Sequence, residues 1–240
     1  MRRTIAVAAL FVLAVSACSS KNPESHFLDD VASLSKDQIM QRGDALAAKK
    51  QWDGARKYYS FLADSFPNDP LGRKAALKVA DSFFNQHDSE SLTEAQLRYK
   101  DFSNRFPNDP NRAYALLMLA KCSFAQRKGP EKDLAPIREA VESLKQVLRL
   151  FPNSPFAAEA RQLQDKCLED LGQHELGVAQ YYANVKAWNG AKQRLDYLFA
   201  NYPQTAAAKA AGPLAAKVDA ALHIKPGEAE SAPKPSPGTR

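Results

Sequence analysis

Among residue types that carry chemistry, the cysteine at position 18 stands in a reactive context. It closes Val15-Ser16-Ala17-Cys18, behind Arg2 and Arg3 and an apolar run from Ile5 to Ala14. That run is well short of the ~20 residues needed to span a bilayer and has the length of a signal-peptide core. Small residues ahead of a cysteine after such a run mark where bacterial signal peptides are cut and the thiol takes a diacylglyceryl group. Residues 1–17 are therefore expected to be removed and Cys18 lipidated; ordinary secretion with cleavage near Ala17 is the plainer alternative. Each buried methylene contributes ~0.8 kcal/mol, so several acyl chains anchor durably where one does not. Ser19 is not the aspartate that retains such proteins in the inner membrane of enterobacteria, which favours the outer membrane, facing the periplasm.

Elsewhere the reactive side chains form no constellation. His26, His87, His174 and His223 are far apart, without the paired spacing that suits a metal, and are read as surface or cap residues. No glycine-rich phosphate loop exists, and no serine sits in a nucleophile elbow. Glu90, Glu94, Glu139 and Glu142 are interleaved with basic residues at helical spacing, the pattern of a solvated face. The expectation is no enzyme, no metal and no cofactor. Cys122 and Cys167 stand fifteen residues after equivalent prolines. Equivalent positions on stacked helices lie ~8–10 Å apart, beyond disulfide reach, so buried thiols are expected although the periplasm permits a bridge.

Charge adds little. Without residues 1–17, which hold two arginines and no acid, 31 basic residues face 27 acidic ones, a net of +4. The basic residues are spread along the chain, so nucleic acid is not an expected partner.

The elements that must position any site are set by a repeat. Four segments end alike: Phe66-Pro67-Asn68-Asp69, Phe106-Pro107-Asn108-Asp109, Phe151-Pro152-Asn153-Ser154 and Tyr202-Pro203-Gln204-Thr205. Fifteen, twelve and eight residues before each proline stand Trp52, Ala55, Tyr59; Leu92, Ala95, Tyr99; Ile137, Ala140, Leu144; and Trp188, Ala191, Leu195. Eight residues after it stand Ala75, Ala115, Ala160 and Ala211. Large, small and large residues at this spacing share one helix face, and the alanine lets a neighbouring helix approach. The aromatic-proline pair ends a helix, and Asp69, Asp109, Ser154 and Thr205 are expected to cap the next, three of them followed by proline.

With Gly43, the first unit fits the tetratricopeptide (TPR) pattern, although the prolines are 40, 45 and 51 residues apart, longer than its 34-residue ideal. The excess is expected in a loop from Gly129 to Pro136 and in a long helical stretch from Phe156 to Lys186, broken near Gly172 or Gly177. A capping box at Ser35-Lys36-Asp37-Gln38 should start the first helix, and the last should run from Ala206 to about Leu222. The fold class predicted is all-α, a TPR-like helical-hairpin solenoid of nine or ten helices over residues 35–224. A lipidated tether (18–34) precedes it and a disordered proline-rich tail (225–240) follows. Trp52, Tyr59, Tyr99 and Trp188 are read as core, whereas Tyr114, Tyr181, Tyr182 and Tyr197 are candidates to line a groove. Met40 and Asp44 occupy the positions where carboxylate-clamp TPR domains carry lysine and asparagine, which excludes that clamp.

The lipobox with these repeats resembles the BamD (ComL or YfiO) family of outer membrane protein assembly lipoproteins. The resemblance is carried by Val178-Ala179-Gln180-Tyr181-Tyr182, Ala187-Trp188, Arg194 and Tyr202-Pro203-Gln204-Thr205, with Phe151-Pro152-Asn153-Ser154. It covers most of residues 30–222 and is specific from about Leu144 to Thr205. It implies a scaffold bound to the barrel-forming subunit of the assembly machine and its other lipoproteins, receiving unfolded outer membrane proteins. By the same resemblance Arg194 is the docking cation, Trp188 holds its helix, and Tyr181 and Tyr182 join the partner-binding surface. The short segment between the helices around Cys122 and Ala140 and the proline-rich tail depart from the family. A secretin pilotin or another cell-envelope TPR adaptor is the main rival, and a murein-modifying enzyme the enzyme-class one.

Overall fold

A computed structural model describes residues 23–129 and 133–223. The expected signal peptide, Cys18 and the proline-rich tail lie outside them. Within them eleven helices and no strand occur: α1 (Pro23–Ala32), α2 (Lys36–Ala48), α3 (Trp52–Ser65), α4 (Pro70–Phe84), α5 (Ser89–Arg105), α6 (Arg112–Ala125), α7 (Ala135–Leu150), α8 (Ala157–Asn184), α9 (Trp188–Asn201), α10 (Ala206–Ala210) and α11 (Gly212–Ala221). From α2 to α9 each helix packs on the next, giving the hairpins α2/α3, α4/α5, α6/α7 and α8/α9.

The repeat pattern is the packing pattern. Ala55, Ala95, Ala140 and Ala191 are fully buried, as are Ala75, Ala115, Ala160 and Ala211. Tyr59, Tyr99, Leu144 and Leu195 are buried beside them, whereas Trp52 and Trp188 are only half-buried. The core divides into four apolar clusters in chain order, centred on α2–α4, α4–α6, α6–α8 and α8–α11. Phe66, Phe106, Phe151 and Tyr202 end their helices with φ between −122° and −133° and ψ between 42° and 65°, outside the α region, as residues before proline must.

Helix starts divide the four caps. The Asp69 carboxylate accepts from Leu71 N–H and Thr205 Oγ1 from Ala208 N–H, so these two cap α4 and α10. The Asp109 carboxylate accepts the equivalent bond, from Asn111 N–H at 2.8 Å, but α6 begins one residue later; Ser154 does not cap. Arg112 N–H and Ala157 N–H bond the carbonyls three residues back, so a tighter turn precedes α6 and α8. Pro110 and Pro155 therefore stand before their helices, not at the first helical position. The Ser35–Gln38 capping box is present at α2.

Three expected boundaries differ. In the stretch read as a tether, Pro23–Ala32 is helical, because Phe27 meets Tyr58 and Phe61 edge-on at 5.1 and 6.1 Å and Val31 is buried. The last helix is split into α10 and α11 at Ala211, where Pro213 has no N–H to continue the ladder. These changes raise the helix number to eleven among the described residues. By contrast α8 runs 28 residues unbroken through Gly172 and Gly177. A Cβ at Gly172 would lie 2.9 Å from Thr205 Oγ1, so this glycine admits the start of α10. Pro136 belongs to the first turn of α7 and not to a loop. Cys122 and Cys167 are free, buried thiols in different clusters.

Candidate partner-docking site

The residues marked by the C-terminal motif lie on one hairpin, α8/α9, turned at Val185-Lys186-Ala187. Lys186 adopts a left-handed φ of 59°, and Ala187 N–H bonds Tyr182 C=O, which closes the turn. Trp188 opens α9 and packs against the cluster of Ala183, Ala191 and Leu195. Tyr182 packs on the same cluster, and its ring passes above Gly190, where a Cβ would approach within 3.1 Å. Tyr181 meets Tyr182 edge-on at 5.8 Å but is itself 64% exposed. Val185, the residue that caps the end of α8, is 55% exposed. Tyr181 and Val185 thus leave two large apolar side chains in water at the turn end of the hairpin.

Arg194 stands six residues beyond Trp188, or about 9 Å along α9. Its guanidinium is turned toward α8 on one side and toward solvent on the other. Its Nη1 donates to Glu175 Oε2 at 3.2 Å, and Glu175 on α8 is buried while Arg194 is 42% exposed. Sequence reasoning missed Glu175. Its one signal is symmetry about the turn: Glu175 lies ten residues before Val185 and Arg194 nine after, so an antiparallel hairpin must bring them level. Beside this pair, burial works against the charge on Lys192, but bonds to Asp196 and Asp219 outweigh it and lift its pKa. Lys192 lies 2.7 Å from Asp196 and 3.5 Å from Asp219, tying α9 to α11.

The other tyrosines are placed differently. Tyr197 stacks edge-on against Tyr202, and Tyr114 donates to Asp81 at 2.7 Å, so both serve packing. Tyr99 donates to the same Asp81 oxygen at 2.6 Å. Met40 is buried and Asp44 accepts from Tyr59. Toward the N-terminus a cleft of about 400 Å³ opens between α3, α4 and α5, where Arg73, Arg98 and Arg105 meet Phe102 and Phe106. Among the described residues no three His, Cys, Asp or Glu side chains gather to hold a metal ion, and no helix is long and apolar enough to cross a membrane.

Residues 33–234 match the family described as YfiO, outer membrane lipoprotein. The chain belongs to that family. Among its relatives, the outer membrane protein assembly factor BamD of Haemophilus influenzae is 26% identical over 218 residues, covering 86% of this chain and 80% of that protein. BamD of Neisseria meningitidis serogroup A is 26% identical over 204 residues, covering 80% and 75%. Among solved structures, MamA aligns with a TM-score of 0.46 at 18% identity, over 84% of this chain and 98% of that one. The YfiO match takes in the whole α8/α9 hairpin, so the exposed aromatic edge and the Arg194–Glu175 pair lie inside the family region.

Proposed function

We propose that this protein is a non-enzymatic assembly factor for outer membrane proteins, held by lipid at Cys18 on the periplasmic face of the outer membrane. In this reading it docks the barrel-forming subunit of the assembly machine through the α8/α9 hairpin and, with the machine's other lipoproteins, fixes that subunit's orientation. Unfolded outer membrane proteins are received along the N-terminal hairpins, where shallow repeated contacts give an affinity low enough for release. Membership of the YfiO family, with relatives named as outer membrane protein assembly factors, carries the reading. The docking role of Arg194, Trp188, Tyr181 and Tyr182 is supported by a half-exposed cation and an exposed aromatic edge on one hairpin.

Co-purification from detergent-solubilised membranes tests it. The wild-type chain should bring down the barrel-forming subunit, and recovery of a secretin instead would point to a pilotin. Arg194→Gln removes the cation and shortens the side chain by two bonds. It should weaken recovery of the subunit roughly tenfold, the scale of losing one charged anchor at an interface. Helical content is followed by circular dichroism, and if Arg194→Gln loses it, Arg194→Lys, which keeps a cation opposite Glu175 but not the fork, takes its place. Undiminished recovery would remove Arg194 from the docking surface.

A further inference from the structure

The Arg194–Glu175 pair is lopsided. The Glu175 side chain is 5% exposed and Arg194 42%, whereas Glu142–Lys145 and Asp101–Arg105 are exposed at both ends. One turn to either side of Glu175, Leu171 and Ala179 are buried. A carboxylate this far out of water has little solvent to stabilise it, so losing its cationic partner is costly. Arg194 therefore cannot leave Glu175 cheaply when another protein arrives. It does not have to. A guanidinium presents five donors in a planar fork, and the Nη1 contact to Glu175 occupies one nitrogen. The charge of Glu175 also acts on Tyr202, whose phenol is held well above its usual pKa first by burial and then by Tyr197 and Glu175.

We propose that Glu175 is the positioning residue for Arg194. It holds one edge of the guanidinium inside the fold so that another meets a carboxylate of the docking partner, without the internal pair being exchanged. The inference rests on Arg194 being the docking cation. A surface arginine must be immobilised as it binds; one already held by a buried carboxylate has met that cost during folding.

Two readouts keep positioning and docking separable in the full-length protein. Without any partner, ¹⁵N-arginine spectra should show slowly rotating Arg194 guanidinium N–H groups in the wild type. In Glu175→Gln these should join the freely rotating signals of exposed arginines. Binding of the barrel-forming subunit's soluble periplasmic domains is then measured by calorimetry for wild type, Glu175→Gln, Arg194→Gln and the double variant. Glu175→Gln should weaken binding roughly three- to tenfold when Arg194 is present, the cost of immobilising one long side chain, and leave it unchanged when residue 194 is glutamine. If Arg194→Gln unfolds, Arg194→Lys replaces it, keeping Glu175 paired without the fork; the Glu175→Gln loss should then shrink. An equal loss in both backgrounds makes Glu175 merely structural and overturns the proposal, as does unaltered guanidinium mobility in Glu175→Gln. Should Arg194→Gln bind like wild type while mobility still depends on Glu175, the docking assignment falls instead, and the pair loses its functional meaning.

Discussion

Asp81 shows how one residue carries two opposed terms. Burial raises its pKa, and hydrogen bonds from Tyr99 and Tyr114, both to Oδ1, work in the other direction. Burial wins, so the folded pKa is raised. For a carboxylate shifted this way the native state binds the proton more tightly, and stability from this group rises as pH falls through the folded value. Asp69 and Asp88 behave oppositely. The first is held below the usual range by its bonds to Lys36 and Leu71 N–H, the second by those to Ser91. What they contribute is present above their unfolded pKa and lost as pH falls through the lowered folded one. Asp81→Asn keeps an oxygen for both tyrosines and sheds the buried charge, so urea unfolding at pH 7 should place it within about 1 kcal/mol of wild type. Asp81→Ala leaves two hydroxyls without their acceptor and should cost about 2–4 kcal/mol. On acidification toward the usual carboxylate range, wild type should gain on Asp81→Asn before both fall as the helix caps protonate. The two buried thiols need no such balance. Burial pushes Cys122 and Cys167 up to about 12, so neither is a thiolate at neutral pH.

At the scale of elements, the hairpin junctions decide where the chain may turn. Lys36 at the start of α2 bonds Asp69, and Arg73 in α4 bonds Asp109 at 2.7 Å, so two successive turns are stapled to the helix of the preceding hairpin. At the third turn Ser154 replaces the aspartate, and its Oγ is buried without a hydrogen-bond partner among the described residues. Gly72 marks the tightest junction: an added Cβ would fall 1.9 Å from the carbonyl oxygen of Phe66. Because that neighbour is backbone, Gly72→Ala should destabilise by about 3 kcal/mol, at the upper end of overpacking. Gly177 has nothing within 4 Å of the same position. Gly177→Ala in the interior of α8 should therefore stabilise by roughly 0.5–1 kcal/mol. Thermal melts of the two variants, moving in opposite directions from wild type, check both. The repeat alanines and helix stops were legible before any coordinates because each is a local requirement of chain geometry. The α1 helix was not, since its ten residues gain their reason to fold from Tyr58 and Phe61 on α3.

At the scale of the molecule, the four apolar clusters of the described residues follow chain order and neighbouring clusters share a helix, so cohesion is passed from hairpin to hairpin. A stack built this way responds locally to damage. Hydrogen exchange of Gly72→Ala should show lost protection in α2 to α5 while α8 and α9 keep wild-type rates; uniform loss along the chain would mean a single cooperative core. The same organisation separates the C-terminal hairpin from the N-terminal cleft lined by Arg73, Arg98 and Arg105. Substitutions at one end can then be scored for docking without disturbing the other. The sequence by itself determined the all-α class, the register of the hairpins and the hairpin that bears Arg194, because burial periodicity and proline stops act over a few residues. Only the tertiary structure decided that Arg194 is bound to Glu175, that Tyr114 serves Asp81, and that Pro23–Ala32 is helical. Each depends on side chains from different helices sharing a dielectric or a contact, which no spacing along one helix can encode.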